Sequence, residues 1–492
     1  MLHKKLILRI LGFLLCIESV LLLMCAGVSF YYTADVELKL GNVLNDFLLS
    51  AGITLTVGLL ILIFTRGTKR VLNRRDGYVV VTFSWLTFSL FGMLPYYISG
   101  YIPSITDAFF ETMSGFTATG ASILDNIEEM PHGILFWRSM TQWIGGLGIV
   151  FFTLAVLPIF GVEGIRLFAA ESTGPTINKV HPRVGVTAKW IWSIYLGLTA
   201  AEVVFLLFGG MGMFDSICHS LTTTSTGGYS TRQSSIAAFN SPYIEYVIIV
   251  FMFLSGINFN MLFMLFFKAQ FKRFFGDIEL RGYFFMALIL VAITTIGLYM
   301  TNYAGDAEVA FRKAAFQVIS IFSTTGFVTD DYMLWIPFLW TLMSFIMFMG
   351  ACAGSTTGAM KTIRLITLGK IAHNEFRQIV HPNAVLPVRI NKQVLTHQQK
   401  STMLAFTFIY VLIVAVSWLA MVAMGVDFDA SFGIVASSMG GVGPGLGTFG
   451  PSHSWAALPD LAKWWLAALM LIGRLEIFSV LLVFTPDLWN KR

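Results

Sequence analysis

The sequence predicts an all-α polytopic membrane protein: four span–pore-helix–span repeats related by pseudo-fourfold symmetry, preceded by a two-helix hairpin. Three observations carry this. Of 492 residues, 56% are hydrophobic and only 12% are charged, against roughly 25% charged in soluble domains. Apolar runs of spanning length recur at 6–30, 47–64, 78–98, 190–208, 246–267, 284–300, 403–424 and 464–484; about 20 such residues cross ~30 Å of hydrocarbon. Four small-residue loops complete the pattern, with central glycines at 120, 227, 326 and 443, spaced by 107, 99 and 117 residues. Each follows a short amphipathic stretch and precedes a long apolar run.

The leading hairpin is 6–30 and 47–64. His3, Lys4 and Lys5 before the first run imitate a secretory signal, but no convincing small-x-small cleavage site follows, so an uncleaved first helix is expected. The organisation then reads as 1–75 hairpin, 76–180 repeat 1, 181–280 repeat 2, 281–395 repeat 3 and 396–492 repeat 4. The polar linkers 162–189 and 361–402 are too short for a globular domain. Cys16, Cys25, Cys218 and Cys352 stand singly in apolar context and fit neither a disulfide framework nor a metal site.

With the N-terminus inside and every long span crossing once, most of the 32 Lys and Arg fall on the inner face, notably Arg66, Lys69, Arg70, Arg74, Arg75, Lys268, Lys272 and Arg273. Most of the 27 carboxylates fall outside. The positive-inside bias supports a cytoplasmic N-terminus. The net +5 thus reports orientation and contact with anionic lipid, giving no case for nucleic acid.

The short stretches 104–115, 213–223, 307–323 and 430–439 are the candidate pore helices. Twelve helical residues cover about 18 Å, too little to cross, so they enter and turn back. Non-helical backbone at membrane depth is tolerated only against protein or water, which makes the loops candidate ion contacts. Replacing the water shell of a monovalent cation needs several oxygen dipoles converging on one axis, and glycine admits the positive φ such loops use. The expected ion-binding positions are Thr119, Gly120, Thr226, Gly227, Thr325, Gly326, Val442 and Gly443. Loop four departs from the others, with Val442 for threonine and Pro444 after the glycine. Asp107, Glu111, Asp215, Asp427 and Asp429 precede or open the pore helices and are expected to cap them and pair with their dipoles.

The second spans carry central glycines at Gly145-Gly146, Gly256, Gly350 to Gly358, and Gly473. Close helix packing accounts for the first, second and fourth. The third, with Gly350, Gly354, Ser355, Thr356, Thr357 and Gly358, is a poor helix by propensity and is expected to unwind in mid-membrane. Arg474 lies within the last span; an arginine there is costly and usually faces the bundle interior. At ~5 Å and an effective dielectric of ~20 it would repel a cation by roughly 3 kcal/mol. The other reading is a structural salt bridge to Glu202 or Glu476. Glu18 and Glu202 are read as structural carboxyls, with ion coupling as the alternative.

These repeats, the glycines at Thr119-Gly120, Ser225-Thr226-Gly227-Gly228, Thr324-Thr325-Gly326 and Gly443-Pro444-Gly445, and the 350–358 break together resemble the Trk/Ktr/HKT superfamily of cation transporters. The N-terminal hairpin is similar to the Trk membrane-subunit branch. The resemblance covers essentially the whole chain. It implies a potassium-channel-like fold, a homodimer with one pore per protomer, and potassium uptake across a bacterial inner membrane. It also implies a filter of the loops above, with glycine at 120 favouring potassium over sodium, and a gate made of 350–358 with Arg474. A cytoplasmic nucleotide-binding regulatory ring (TrkA-like) is implied as partner, expected to dock on Lys268, Lys272 and Arg273. K+ is the transported ligand, and no covalently bound cofactor is implied. The alternatives are a sodium-permeable pore or an ion-coupled K+/H+ or K+/Na+ symporter. An enzyme is not expected: no HExxH, paired intramembrane aspartates or Ser/His constellation occurs. Residues 445–450 spell a dinucleotide fingerprint, but no strand precedes it and Pro451 follows where a helix should open.

Overall fold

The computed structural model describes residues 2–32, 42–67, 73–148, 184–391 and 393–489. Helices α1 (Lys4–Tyr31) and α2 (Val43–Phe64) form the hairpin. Their backbones cross at Gly12 and Gly58: a Cβ on Gly12 would stand 3.1 Å from the Gly58 carbonyl, and one on Gly58 would stand 3.0 Å from that of Gly12. Small residues at a crossing let helices gain dispersion contact where lipid offers no hydrophobic drive. The Ser19 hydroxyl adds a bond to the Ala51 carbonyl (2.9 Å).

Repeat 1 consists of α3 (Arg74–Gly92) and α4 (Leu94–Ile98), the pore helix α5 (Ile105–Phe116), and α6 (His132–Leu147). Its C-terminal part, from residue 149, lies outside the described residues, as does most of the linker 162–189. Repeat 2 has α7 (Val184–Phe208), pore helix α8 (Met213–Thr224), α9 (Pro242–Ser255) and α10 (Phe259–Phe266). A short α11 (Phe271–Gly276) leads into repeat 3: α12 (Ile278–Met300), pore helix α13 (Ala307–Phe322) and α14 (Pro337–Ile346), with α15 (Thr362–Val380) after a non-helical loop. Repeat 4 has α16 (His397–Ala423), pore helix α17 (Phe428–Gly440), α18 (Asp460–Arg474) and the one-turn α19 (Phe478–Leu481).

Six described helices are long and apolar enough to cross a membrane. The four pore helices fall where the sequence put the short stretches. Two runs read as continuous spans are instead broken: α9 and α10 meet at 104°, α18 and the segment after it at 112°. Local chemistry explains both. Asn258 caps α10 through the Asn260 N–H (2.8 Å), while Glu476 and Ile477 take positive φ, 53° and 39°. Breaking therefore extends beyond the third repeat.

The core divides into two clusters. One joins the hairpin with repeats 1 and 4, around Phe47, Trp85, Phe88, Phe116, Trp137 and Ile434. The other joins repeats 2 and 3, around Tyr195, Met252, Tyr283, Phe316, Phe322 and Met343. The four glycine loops lie where the clusters meet.

Candidate functional site

Each loop is cut from its pore helix in the same way. Two positions separated by one residue take positive φ: Ala118 and Gly120, Thr226 and Gly228, Thr324 and Gly326, Gly441 and Gly443. The intervening residue donates its N–H to the carbonyl five residues back, as Thr119 to Ser114 (2.9 Å), Gly227 to Thr222 (2.9 Å), Thr325 to Ser320 (2.8 Å) and Val442 to Ser437 (3.0 Å). These regularities correct the sequence register in loop two. Gly228, not Gly227, is the counterpart of Gly120, Gly326 and Gly443, and Gly227 is the counterpart of Thr119, Thr325 and Val442. Thr226 falls at the level of Ala118. The doubled glycine hid this, because either one satisfies a Thr-Gly match.

The loops close into a ring. A Cβ on Gly120 would strike the Gly227 carbonyl oxygen; one on Gly228, that of Thr325; one on Gly326, that of Val442; and one on Gly443 would stand 2.9 Å from that of Thr119. Each loop thus abuts the next, and the fourth returns to the first. Positive φ and backbone crowding together leave only glycine at these four positions. The same four glycines line the floor of an open basin of about 590 Å³, with Arg232 and His453 on its walls.

Behind the ring, buried polar groups hold the loops. Glu111 accepts from Arg138 Nε (2.9 Å), the Ile123 N–H (2.9 Å) and the Ser122 hydroxyl (3.0 Å). Arg138 also donates to the Ser230 carbonyl (3.2 Å) and lies over the Tyr229 ring, so one ion pair ties loop one to loop two. Gln142 spans the doubled glycine: its Nε2 donates to the Gly227 carbonyl (2.7 Å) and its Oε1 accepts from the Tyr229 N–H (3.0 Å). His219 meets the Ser230 hydroxyl (2.9 Å). In loop three the Ser320 hydroxyl donates to the Phe327 carbonyl (2.7 Å), and Tyr332 reaches loop four at the Gly445 carbonyl (2.6 Å). Such buried networks hold geometry because every lost partner is costly.

Asp107, Asp215 and Asp429 lie in the first turns of α5, α8 and α17, as dipole pairing expects, but the expected side-chain capping goes elsewhere. Ser104 and Asp306 supply the side-chain caps of α5 and α13. Asp107 pairs with Lys463 (2.6 Å), Asp215 with Arg232 (3.0 Å) and the Thr231 hydroxyl (2.7 Å), and Glu111 with Arg138. Asp427 sits at the cap position without a side-chain cap bond, and Asp429 lies in the first turn.

On the side of the ring away from the basin lies the third-repeat loop. Strands β1 (Met349–Gly350) and β2 (Met360–Lys361) pair in parallel and pinch residues 351–359 into a non-helical excursion. The Thr356 hydroxyl donates to the Thr224 carbonyl at the end of α8 (3.2 Å). The Gly358 N–H donates to the Thr324 hydroxyl in loop three (2.8 Å), and a Cβ on Gly358 would strike the Gly440 carbonyl at the end of α17. The loop's outer limb is held by Asn258 and Glu279, which bond the Ala353 carbonyl (2.5 Å) and N–H (2.6 Å). Gly354 has φ +78° and accepts from the Phe259 N–H (3.1 Å), and the Ser355 and Thr357 hydroxyls bond each other (2.8 Å).

Arg474 completes the tie. It donates to the carbonyls of Thr356 (2.6 Å), Gly145 (2.7 Å) and Gly146, so it joins the loop to repeat 1. Glu476 pairs with Arg364 rather than with Arg474. Lys361, buried, holds the Thr357 carbonyl. Gly145 and Gly473 are packing glycines, each facing a pore-helix carbonyl, Phe116 and Met439 respectively. Glu18 and Glu202 are fully buried, Glu202 beside Thr223 of α8. All four cysteines are free, and Gly447–Phe449 is a single 3-10 turn after extended Leu446, not a nucleotide site.

Sequence reasoning missed Arg138, Gln142 and Asn258. Arg138 was open to detection as an arginine in an apolar helix that must have a partner; Gln142 and Asn258 carry no comparable signal.

Four re-entrant helices that close a backbone ring within one chain define a channel-like membrane transport protein. The chain belongs to the TrkH family of cation transport proteins, whose family model matches residues 47–491. It is 38% identical to the Trk system potassium uptake protein TrkH of Salmonella typhimurium, over 99% of this chain and 100% of that one. It is 31% identical to the Trk system potassium uptake protein TrkG of Escherichia coli K12, over 99% of each. The crystal structure of the potassium transporter TrkH from Vibrio parahaemolyticus superposes with a TM-score of 0.88 at 34% identity, covering 99% of this chain and all of that one.

Proposed function

We propose that this protein carries out potassium uptake through a gated pore in a bacterial cytoplasmic membrane, with its N-terminus inside. The observation that carries the reading is the closed ring of four loops in one register. Four carbonyls at the level of Thr119, Gly227, Thr325 and Val442, with those of Gly120, Gly228, Gly326 and Gly443, give the oxygen count that dehydration of a monovalent cation needs. Gly350, Gly354, Ser355, Thr356, Thr357 and Gly358 with Arg474 form the gate: the loop blocks the passage below the ring, and moving it requires breaking the Arg474 and Thr324 bonds. Full-length relatives named as potassium uptake proteins support the choice of ion.

The regulatory reading is a cytoplasmic nucleotide-binding ring of the TrkA type, with the membrane protein as a homodimer. The tip of α15 suits such docking better than Lys268, Lys272 and Arg273, because Phe376, Ile379, Val380 and Val385 are all exposed there beside Arg377. The test of the whole reading is a bi-ionic reversal potential on the protein in planar bilayers. Potassium should be preferred over sodium, and Gly120→Ser should shift the reversal potential toward sodium. A wild-type reversal set by sodium or by the proton gradient would sink the reading.

A further inference from the structure

An open apolar groove runs between α9, α12 and the pore helix α13, lined among others by Phe253, Phe284, Leu288, Val291, Thr295 and Phe311. Its long wall is one face of α12 from Phe284 to Ile296, about 18 Å at 1.5 Å per residue. Half of the ~30 Å hydrocarbon layer is ~15 Å, so the groove, centred on the middle of α12, takes an extended acyl chain that starts at one face and passes the midplane. The Thr295 hydroxyl is spent on the Val291 carbonyl (2.7 Å), which leaves the wall apolar in effect.

The N-terminal end of that wall is basic. Arg281 is exposed and lies two turns before Leu288 on the same helix face; its Nε donates to the Phe275 carbonyl (2.6 Å). Lys268, Lys272 and Arg273 are exposed among the exposed Phe266, Phe267, Phe271 and Phe275. The two carboxylates of this stretch are turned inward: Asp277 caps α12 through the Glu279 and Leu280 N–H groups, and Glu279 accepts from the Ala353 N–H. Aromatic rings alternating with cations that no carboxylate among the described residues pairs belong at a membrane–water interface. A regulator in the aqueous phase would leave those rings without a partner.

We infer that the groove binds one acyl chain of an anionic phospholipid, with the headgroup phosphate met by Arg281 and the neighbouring basic cluster. The occupant needs a single long apolar tail and a negative head, and both halves of the site are then used. A second copy of the chain would fill the apolar part but gain nothing from the cations. Because the groove is walled by α13, the bound chain packs against the mid-membrane end of pore helix 3, at Ile319.

The test is native mass spectrometry of the full-length protein in mild detergent, titrated with phosphatidylglycerol or phosphatidylcholine. Wild type should retain phosphatidylglycerol preferentially. Arg281→Gln should cut that preference about fivefold, the worth of one basic side chain near an anionic surface. Ala292→Trp, which fills the groove, should abolish retention of both lipids. An unchanged preference in Arg281→Gln, or wild-type retention in Ala292→Trp, would overturn the assignment. So would loss of a dimer with lipid retention intact, which would give the groove to a second copy, or loss of regulator binding with retention intact. If Ala292→Trp does not fold, Leu288→Trp on the rim should be quenched more by brominated phosphatidylglycerol than by brominated phosphatidylcholine; equal quenching rejects the site.

Discussion

Gly227 and Gly228 are adjacent, yet the ring assigns them different costs when each gains a methyl group. Gly228 has φ +79°, where an L residue pays about 1–2 kcal/mol. Its Cβ would also strike the Thr325 carbonyl, standing 3.2 Å from the Gly326 carbonyl carbon. That obstacle is backbone of the next loop, so only displacement of the ring relieves it. The φ penalty alone is a factor of about 5–30 in the population of the intact ring, and Gly228→Ala should lower flux at least tenfold. Gly227 has no positive φ, and its Cβ would meet the amide end of Gln142, with Cγ at 2.9 Å. That side chain can swing away, giving up its two bonds at about 0.5–1.5 kcal/mol each. A double-mutant cycle separates the cases. In a Gln142→Ala background those bonds are already gone, so Gly227→Ala should add little, whereas Gly228→Ala should keep its full effect. Rubidium uptake into proteoliposomes at matched protein density reads both. If Gly228→Ala is neutral and Gly227→Ala keeps its whole cost without Gln142, the register argued from the φ pattern is wrong.

Three more perturbations follow from the same contacts. Arg474→Ala removes the charged bond to the Thr356 carbonyl, worth about 1.5–3 kcal/mol, and should raise basal flux by one to two orders of magnitude; flux at or below wild type would remove Arg474 as a restraint on the loop. Thr324→Val deprives the Gly358 N–H of its acceptor at a cost of about 1–3 kcal/mol, and single-channel recording should show longer openings with unchanged ion selectivity. Glu111→Gln leaves the buried Arg138 without its counter-charge, a loss of about 3–5 kcal/mol for a broken buried pair. Its thermal midpoint should fall by several degrees and recover in part with Arg138→Met, and a wild-type midpoint would show that the pair does not support the loops.

The elements with a chemical reason to be short or long were legible in the sequence. The pore helices could be placed because 12 to 16 residues are too few to span, and the hairpin because two apolar runs precede the first repeat. The 350–358 break was legible because three glycines and three hydroxyls in nine residues make a poor helix. The breaks at Gly256–Asn258 and at Glu476–Ile477 were not, since hydropathy averages over a bend: the windows 246–267 and 464–484 stay apolar whether straight or folded by over 100°. The register of loop two was hidden for a different reason. Composition says only that a glycine is near, while the φ pattern needs one residue in particular. The ion pairs of Asp107, Glu111 and Asp215 were not legible because their partners, Lys463, Arg138 and Arg232, lie on later elements of the chain.

Fusing four quarters into one chain makes the third-repeat loop possible. It touches the end of α8 through Thr356, loop three through Thr324, the end of α17 at Gly440, and repeat 1 through Arg474. A segment that reaches all four quarters occupies the space at their centre, and four symmetry-related copies would collide there. Among the described residues the third second-span carries this excursion, pinched by β1 and β2, and the second and fourth bend away instead, at Gly256 and after Arg474. The fourth also supplies the arginine that holds the loop, a charge that fourfold repetition would place four times around one axis. At ~5 Å and an effective dielectric of ~20, each such charge would repel a cation by roughly 3 kcal/mol, so four would close the passage to cations outright. One arginine, with the Thr356, Gly145 and Gly146 carbonyls among its partners, would restrain the loop and, under the proposed gating role, still leave a path once the loop moved. Under the proposed gating role, asymmetry below a symmetric ring is what would let the passage be gated from within a single polypeptide.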